Sequence, residues 1–243
     1  MKIAITFWGT QKYIEFLPEW YERLEKYFVP DIEKTYFVFT DGDLDGSPNN
    51  VVKVEIPHYG FPTTYHKTFE EMLKLKNKIV GYDWLVSVDA DLYVWNHIDY
   101  SEFFDSSKKY FGVHHPCHFV GFPPHNQHPG SFDVNPLSNS CITEDIMDMS
   151  VYYQGCLWGG KVPEIFDMMQ QIDNWTKEDL DKNVQARYYE ESYMNRWFLT
   201  HKNEVHTLSP SFAYPQMFEE YCNFEKKMVH LSKDNKSLDN NQW

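Results

Sequence analysis

Two short acidic stretches carry the side chains best suited to chemistry. The first is Asp89-Ala90-Asp91, which interrupts a run rich in Val and aromatics over residues 84–94. Residues i and i+2 of an extended chain share a face. Asp89 and Asp91 are therefore expected to present two carboxylates side by side where a buried strand ends. Bare carboxylates that close repel each other unless a cation neutralises them. Hard oxygen ligands suit Mg²⁺ or Mn²⁺, which such sites hold through a few carboxylates and substrate phosphates. A solvated turn would give the same pattern; its place directly after a hydrophobic strand favours the metal. The second stretch is Glu190-Glu191, at the start of a predicted helix. Acids there complement the helix macrodipole, which is the stronger reading on local grounds. The functional reading turns one carboxylate into a cleft as nucleophile, base or electrostatic stabiliser. His114, His115, His118, His125 and His128 match no structural-zinc spacing and read instead as loop or cleft groups that hydrogen-bond a ligand.

These groups must be carried by a sizeable core. The 243 residues, 42% hydrophobic, are enough for one large domain or two small ones. The 18% aromatic content leaves surplus rings for stacking on bases or sugars. A net charge of −14 argues against a non-specific binder of nucleic acid or anionic membrane. An anionic ligand would need a metal or a few placed lysines. The four cysteines form no C-x-x-C pair, and reduced thiols are the simplest reading. There is no apolar run long enough to cross a membrane and no signal-peptide pattern at the N-terminus. The polar tail, residues 233–243, reads as mobile unless it docks.

In chain order, residues 2–8 read as a buried strand, 9–12 as a turn and 13–28 as a helix. Strands follow at 35–40 and 51–56, a helix at 64–78 and a fourth strand at 84–88. This alternation predicts an α/β sheet that is largely parallel in its first half, with ligands at the carboxyl ends of the strands. The Gly9-Thr10 turn, the Asp41 turn and Asp89-Ala90-Asp91 would share that edge. The second half is less regular. It has a strand at 110–114, a long His-, Pro- and Asn-rich loop at 115–139, and a Gly- and aromatic-rich segment at 151–160. Its glycines allow close approach of a ligand or a neighbouring strand. Helices at 163–175 and within 179–201 and a strand at 204–208 complete it. The Gly9 turn is neither G-x-G-x-x-G nor a P-loop, and no G-x-S-x-G elbow occurs.

Five segments, in order, resemble family 6 retaining glycosyltransferases, the group of the ABO blood-group and α-1,3-galactosyl transferases and their smaller bacterial relatives. They are residues 8–14 (Trp-Gly-Thr-Gln-Lys-Tyr-Ile), 36–41 (Tyr-Phe-Val-Phe-Thr-Asp), 88–91 (Val-Asp-Ala-Asp), 152–160 (Tyr-Tyr-Gln-Gly-Cys-Leu-Trp-Gly-Gly) and 189–195 (Tyr-Glu-Glu-Ser-Tyr-Met-Asn). Leu208-Ser209-Pro210 follows at the expected distance. The resemblance covers nearly the whole chain. It implies an α/β GT-A fold across residues 1–243: a Rossmann-like nucleotide-binding half over about 1–94, and a smaller half for donor sugar and acceptor over about 95–243. It implies a UDP-sugar donor, an oligosaccharide or glycolipid acceptor, α-1,3 linkage, a divalent metal and retention of anomeric configuration.

By the same resemblance, Tyr13 would stack on uracil, with Trp8, Gly9 and Thr10 lining its pocket. Asp89 and Asp91 would bind Mn²⁺ (or Mg²⁺), with Asp89 extending to the ribose. Gln154, Gly155, Cys156 and Glu190 would contact the transferred sugar. Glu191 would be the carboxylate beneath the anomeric carbon and would also face the acceptor, together with His115 and Tyr188. Lys233 would close over the diphosphate. The chain departs from the family where Thr68 replaces an arginine near the donor; the adjacent Lys67 is expected to substitute. Glu190 replaces Asp, Tyr189 replaces His, and residues 132–136 stand where the family has a Thr-Tyr-Glu-Arg-Arg loop. Cys156, bulkier than Gly or Ala, leans the donor from N-acetylgalactosamine toward galactose. The absence of an anchor and stem suggests a cytoplasmic bacterial or phage protein, with peripheral membrane attachment left open. Two other readings fit the same residues: a GT-A enzyme of another, inverting family, and a carbohydrate- or nucleotide-binding module without turnover.

Overall fold

The computed structural model describes residues 1–119 and 132–233; His125, His128 and the tail beyond Lys233 lie outside them. Strand β1 (Lys2–Trp8) shows why this sequence makes a two-faced sheet. Successive side chains of a strand point to opposite faces. Ile3, Ile5 and Phe7 enter one apolar cluster, and Ala4 enters the other, with Trp8 packed against it. Strand β2 (Glu33–Thr40) repeats this: Tyr36 and Val38 on the first face, Phe37 and Phe39 on the second. With β3 (Val51–Glu55) and β4 (Trp84–Val88), these strands form a parallel block in the order β3-β2-β1-β4.

The sheet then changes sense. Strand β7 (Tyr153–Lys161) runs antiparallel to both β4 and β6 (Tyr110–His114), and β8 (Val205–Leu208) pairs parallel with β6. Seven strands thus share one sheet, and strands from either side of residue 94 are hydrogen-bonded to each other. Helices α2 (Thr63–Leu73), α4 (Glu164–Asp181) and α5 (Tyr189–Thr200) contribute to the second cluster. Helix α1 (Leu17–Tyr27) and the single turn α3 (Tyr100–Phe103) cover the first. This mixed α/β architecture is the one the GT-A expectation requires.

Two departures from the sequence reading have physical causes. The helix expected over 13–28 is broken: a 3-10 segment, Gln11–Phe16, precedes α1. Pro18 lies in the first turn of α1, where its missing N–H costs nothing, whereas further inside a helix it would remove a hydrogen bond. The second departure is a three-stranded sheet of β5 (Leu92–Val94), β10 (Met228–His230) and β9 (Tyr214–Pro215). Strands of two or three residues are too short to show a period.

The predicted role of the 151–160 glycines is visible at Gly159, which pairs with Val86 on one side and Phe111 on the other. A Cβ there would lie 2.1 Å from the Leu85 carbonyl oxygen and 2.5 Å from the Phe111 ring. Backbone in mid-sheet cannot yield as a flexible side chain can. Gly159→Ala is therefore expected to destabilise the protein by about 1–3 kcal/mol or more, measured by chemical denaturation; an unchanged midpoint would mean the strands separate without cost.

Candidate active site

The carboxyl ends of β1 and β4 open onto a cleft. Trp8, Gly9, Thr10, Tyr13, Asp89, Asp91 and Lys233 are among the residues that line it. The Trp8 ring stacks on Phe39, with centroids 4.5 Å apart and planes 5° from parallel. The Gly9 N–H donates to the Phe39 carbonyl at 3.0 Å, carrying the β1 edge past the end of the strand. Thr10 Oγ1 meets His58 Nδ1 at 2.8 Å, and the Gln11 N–H donates to Asp41 Oδ1 at 2.9 Å. The Asp41 turn thus does lie beside the Gly9 turn, and His58 joins the cleft wall from a loop the sequence reading passed over.

The Asp89-Ala90-Asp91 turn is fixed from three sides. The Asp89 N–H donates to the Cys156 carbonyl at 3.0 Å, and the Asp89 carbonyl accepts from the Leu92 N–H at 3.0 Å and from Trp20 Nε1 at 3.1 Å. Asp89 faces the open cleft, whereas Asp91 is 2% exposed. The buried carboxylate has company: Asp91 Oδ2 lies 3.1 Å from His230 Nε2 and 2.5 Å from Lys233 Nζ. Burial alone would raise the Asp91 pKa, but these two cations hold it below the usual carboxylate range. Asp89 moves the other way: the cleft walls desolvate it and the Asp91 charge opposes its ionisation. Water reaching it through the cleft mouth tempers that rise. Lys233 is favoured as a cation by Asp91 despite burial, and its ammonium lies 5.1 Å from the Tyr13 ring centroid.

His230 is the principal site residue the sequence reading missed. The small sheet delivers it, since β10 pairs with β5 so that His230 lies opposite Leu92, and the Leu231 N–H donates to the Asp91 carbonyl at 2.9 Å. One ligand atom each from Asp89, Asp91 and His230 lie within 4.8 Å of one another. Two carboxylates and an imidazole are a donor set that suits a first-row divalent cation, so the residues present fit a metal.

The second acidic stretch reaches the same place from α5. Tyr189, with φ +48, turns the chain into the helix, and Glu190 and Glu191 occupy its first turn. Both oxygens of Glu191 are held: Tyr152 Oη donates to Oε1 at 2.8 Å and the Gly155 N–H to Oε2 at 2.7 Å. Gly155 lies directly against both glutamates: a Cβ there would stand 3.4 Å from Glu191 Oε2 and 3.7 Å from Glu190 Oε1, ordinary contact distances. Asn195, one turn on, straps the helix to β7. Its side chain accepts from the Tyr153 N–H and donates to the Tyr153 carbonyl, both at 2.8 Å. Burial raises the Glu191 pKa to about 7, against the two hydrogen bonds that favour its anion. Burial raises Glu190 well above its ordinary value, with the Glu191 and Asp89 charges adding to it, and its Oε2 has no partner among the described residues.

The remaining predicted residues divide. Gln154 Nε2 lies 3.3 Å from His230 Nδ1. With His115, Asp91, His230 and Lys233 it lines a second cleft of about 700 Å³ that adjoins the first at Asp91 and Lys233. Tyr188 is half-buried beside the Arg187 guanidinium, 5.5 Å from it, and near enough to Tyr152 to be felt electrostatically. Cys156 is 2% exposed and belongs to the packed core; its carbonyl, not its thiol, serves the site. Lys67 is not brought to the cleft: its ammonium pairs with Glu70 at 3.1 Å. Thr68 turns its hydroxyl to the Thr64 carbonyl.

The profile of Glycosyltransferase family 6 matches residues 63–240. The O-antigen biosynthesis glycosyltransferase WbnI of Escherichia coli is 27% identical over 239 residues, covering 98% of this chain and 97% of that protein. Histo-blood group ABO system transferase 2 of Rattus norvegicus is 25% identical over 243 residues, 95% of this chain and 68% of the relative. Globoside alpha-1,3-N-acetylgalactosaminyltransferase 1 of Canis lupus familiaris is 23% identical over 224 residues, 88% and 61% respectively.

The raised Glu191 pKa has a consequence for stability. A group whose folded pKa exceeds its unfolded one contributes stability at low pH that is lost as pH rises through the folded value. Here the window runs from about 4.5 to about 7. Glu191→Gln removes the charge and can still accept from Gly155 and donate to Tyr152. Without ligands, it is expected to melt above the wild type at pH 8, by roughly 2–4 °C per kcal/mol recovered, with the gap closing toward pH 5. Equal melting curves at pH 8 would show that the carboxylate carries no desolvation cost.

Proposed function

The chain belongs to glycosyltransferase family 6, and from that premise we propose that it moves galactose or N-acetylgalactosamine from a UDP-sugar to a glycan hydroxyl, forming an α-1,3 linkage with retention. The observation that carries this reading is that an aromatic pocket, a carboxylate pair with a histidine, and a carboxylate held on both oxygens gather around the end of β4 and the start of β7. In this reading Trp8, Thr10 and Tyr13 take the uracil. Asp89, Asp91 and His230 hold a divalent cation, Mn²⁺ by the chemistry of the donor set, which when bound supplies positive charge to the departing diphosphate. Lys233 adds a second positive charge beside it.

Glu191 is the group that serves the bond-making step. As the bond between the anomeric carbon and the β-phosphate oxygen breaks, its electron pair leaves with UDP and positive charge grows on the carbon. A carboxylate fixed beneath that carbon stabilises the charge or attacks it. Tyr152 and the Gly155 N–H keep the carboxylate aimed and favour its ionised form. The acceptor hydroxyl oxygen, entering from the second cleft past His115, then bonds to the carbon on the original face, and its proton passes to a phosphate oxygen of the departing UDP. Glu190, buried with an unpartnered oxygen, is suited to accept from hydroxyls of the transferred sugar. No helix among the described residues is long and apolar enough to cross a membrane; we propose a cytoplasmic site of action on an oligosaccharide or glycolipid acceptor.

The deciding experiment incubates the protein with Mn²⁺ and a set of UDP-sugars, scoring UDP release with and without lactose-type acceptors and determining the anomeric configuration of the product. Acceptor-dependent release from UDP-galactose or UDP-N-acetylgalactosamine is expected; inversion, or no release from any donor, would overturn the assignment. Glu191→Gln is expected to lose about 10²–10³ of the rate, the scale of a removed electrostatic stabiliser, while still binding UDP. EDTA is expected to abolish transfer and Mn²⁺ to restore it, whereas full activity in chelator would remove the metal role of Asp89, Asp91 and His230.

A further inference from the structure

Helix α2 is the element on which the resemblance expected Lys67 to serve the donor. Lys67 and Thr68 are turned to partners on and beside α2. Tyr65, in the first turn of the same helix, lines the cleft. Its ring stacks on Tyr189, with centroids 5.5 Å apart and planes 14° from parallel. Phe61 closes edge-on against both rings, at 5.9 Å from Tyr65 and 5.1 Å from Tyr189. Tyr189 directly precedes Glu190, so the stack joins α2 to the turn that aims the two glutamates. Tyr65 is 38% exposed, and its phenol lies within electrostatic reach of the Glu190, Asp89 and Asp91 carboxylates and of Tyr13. Burial first, and then these negative charges, raise its pKa well above the ordinary value, so the hydroxyl keeps its proton. Among the described residues that hydroxyl makes no hydrogen bond.

We infer that Tyr65 is a donor-sugar-binding and specificity-determining residue, its hydroxyl donating to a hydroxyl of the transferred sugar that Glu190 accepts from. The inference rests on the sugar-nucleotide reading of the site and deepens it. A sugar hydroxyl is both donor and acceptor. Glu190 offers an unpartnered carboxyl oxygen that can accept. Tyr65 offers a neutral O–H, which can donate. A hydroxyl between them satisfies both, and a sugar lacking it leaves a buried carboxylate oxygen unpaired. Such a pair reads the transferred sugar and not the nucleotide. The stack on Tyr189 supplies rigidity: a phenol held by a second ring and by Phe61 spends little entropy on being aimed.

The test compares binding by calorimetry, in Mn²⁺ and without acceptor, of UDP and of whichever of UDP-galactose and UDP-N-acetylgalactosamine the wild type binds tighter. Tyr65→Phe keeps the ring stack and deletes only the hydroxyl, so its melting temperature should match the wild type. It is expected to bind UDP as the wild type does and the sugar nucleotide about tenfold more weakly, the scale of one hydrogen bond. Tyr65→Leu, which also removes the stack, is expected to lose more on the sugar nucleotide. A selective loss below about threefold in Tyr65→Phe, or an equal loss on UDP and UDP-sugar, overturns the assignment. A wild type that binds neither UDP nor any UDP-sugar overturns the sugar-nucleotide reading itself, an outcome distinct from a wild type that binds and a Tyr65→Phe variant that is unchanged.

Discussion

Four carboxylates lie near one another at the carboxyl edge of the sheet, and the site is organised around their repulsion. Asp89, Asp91, Glu190 and Glu191 come from two turns a hundred residues apart; Asp91 disfavours ionisation of Asp89, Asp89 that of Glu190 and Glu191, and Glu191 that of Glu190. The fold compensates two of them. Asp91 has His230 and Lys233; Glu191 has the Tyr152 hydroxyl and the Gly155 N–H. Asp89 and Glu190 make no ion pair among the described residues, although the His230 and Lys233 charges partly favour the Asp89 anion. Those two face the places where the family's chemistry would bring a metal ion and a sugar's hydroxyls. In the proposed reading, the two acids without an ion pair are those that a metal ion and a sugar would balance, while Asp91 and Glu191 are held from within the protein.

The sheet makes this crowding geometrically possible. Asp89 terminates β4, whose antiparallel partner β7 carries Gly155 and Cys156. The Cys156 carbonyl holds the Asp89 N–H while the adjacent Gly155 N–H holds Glu191. Consecutive residues of one strand therefore grip the two acidic stretches from either side. Asn195 fixes α5 to the same strand, so Glu191 cannot withdraw without breaking a bidentate strap to Tyr153. The rigidity needed at a reacting carbon is supplied by backbone, and the side chains beyond it are free to differ.

Much of this could be read from the chain. The parallel block was legible because β1, β2 and β4 alternate cleanly between two buried faces and end in turns at one edge. Both acidic stretches were legible as pairs. His230 was not: a three-residue strand has no period, and its partner β5 is as short. Lys67 shows another limit. In a helix of 3.6 residues per turn, adjacent positions differ by about 100°, so a side chain two residues from Tyr65 faces well away from it. Chemical similarity to a missing arginine placed Lys67 at the site; helical direction places Tyr65 there instead. Cys156 was placed against the transferred sugar by its position in the resembling segment, and its side chain packs in the core. The aromatic share of the composition suggested stacking but could not say which rings, since most of them are buried.

The net charge of −14 sits awkwardly with an anionic donor, and distance resolves it. At physiological ionic strength charges interact over about 8 Å before screening dominates, so acids on the far surface contribute little inside the cleft. What a diphosphate meets there is local. Lys233 is largely enclosed, and at an effective dielectric near 20 a pair of unit charges 4 Å apart interacts by about 4 kcal/mol, against about 1 kcal/mol in bulk water. Its present partner is Asp91, and His230 shares that carboxylate. Asp89, Asp91 and His230 would hold a divalent cation, whose charge would help neutralise Asp91 and would leave the Lys233 ammonium with charge to offer elsewhere. An arriving diphosphate is the obvious recipient. Metal and donor would then strengthen one another through a single lysine whose partner changes, and the acidic surface need not be remodelled to admit an anionic substrate.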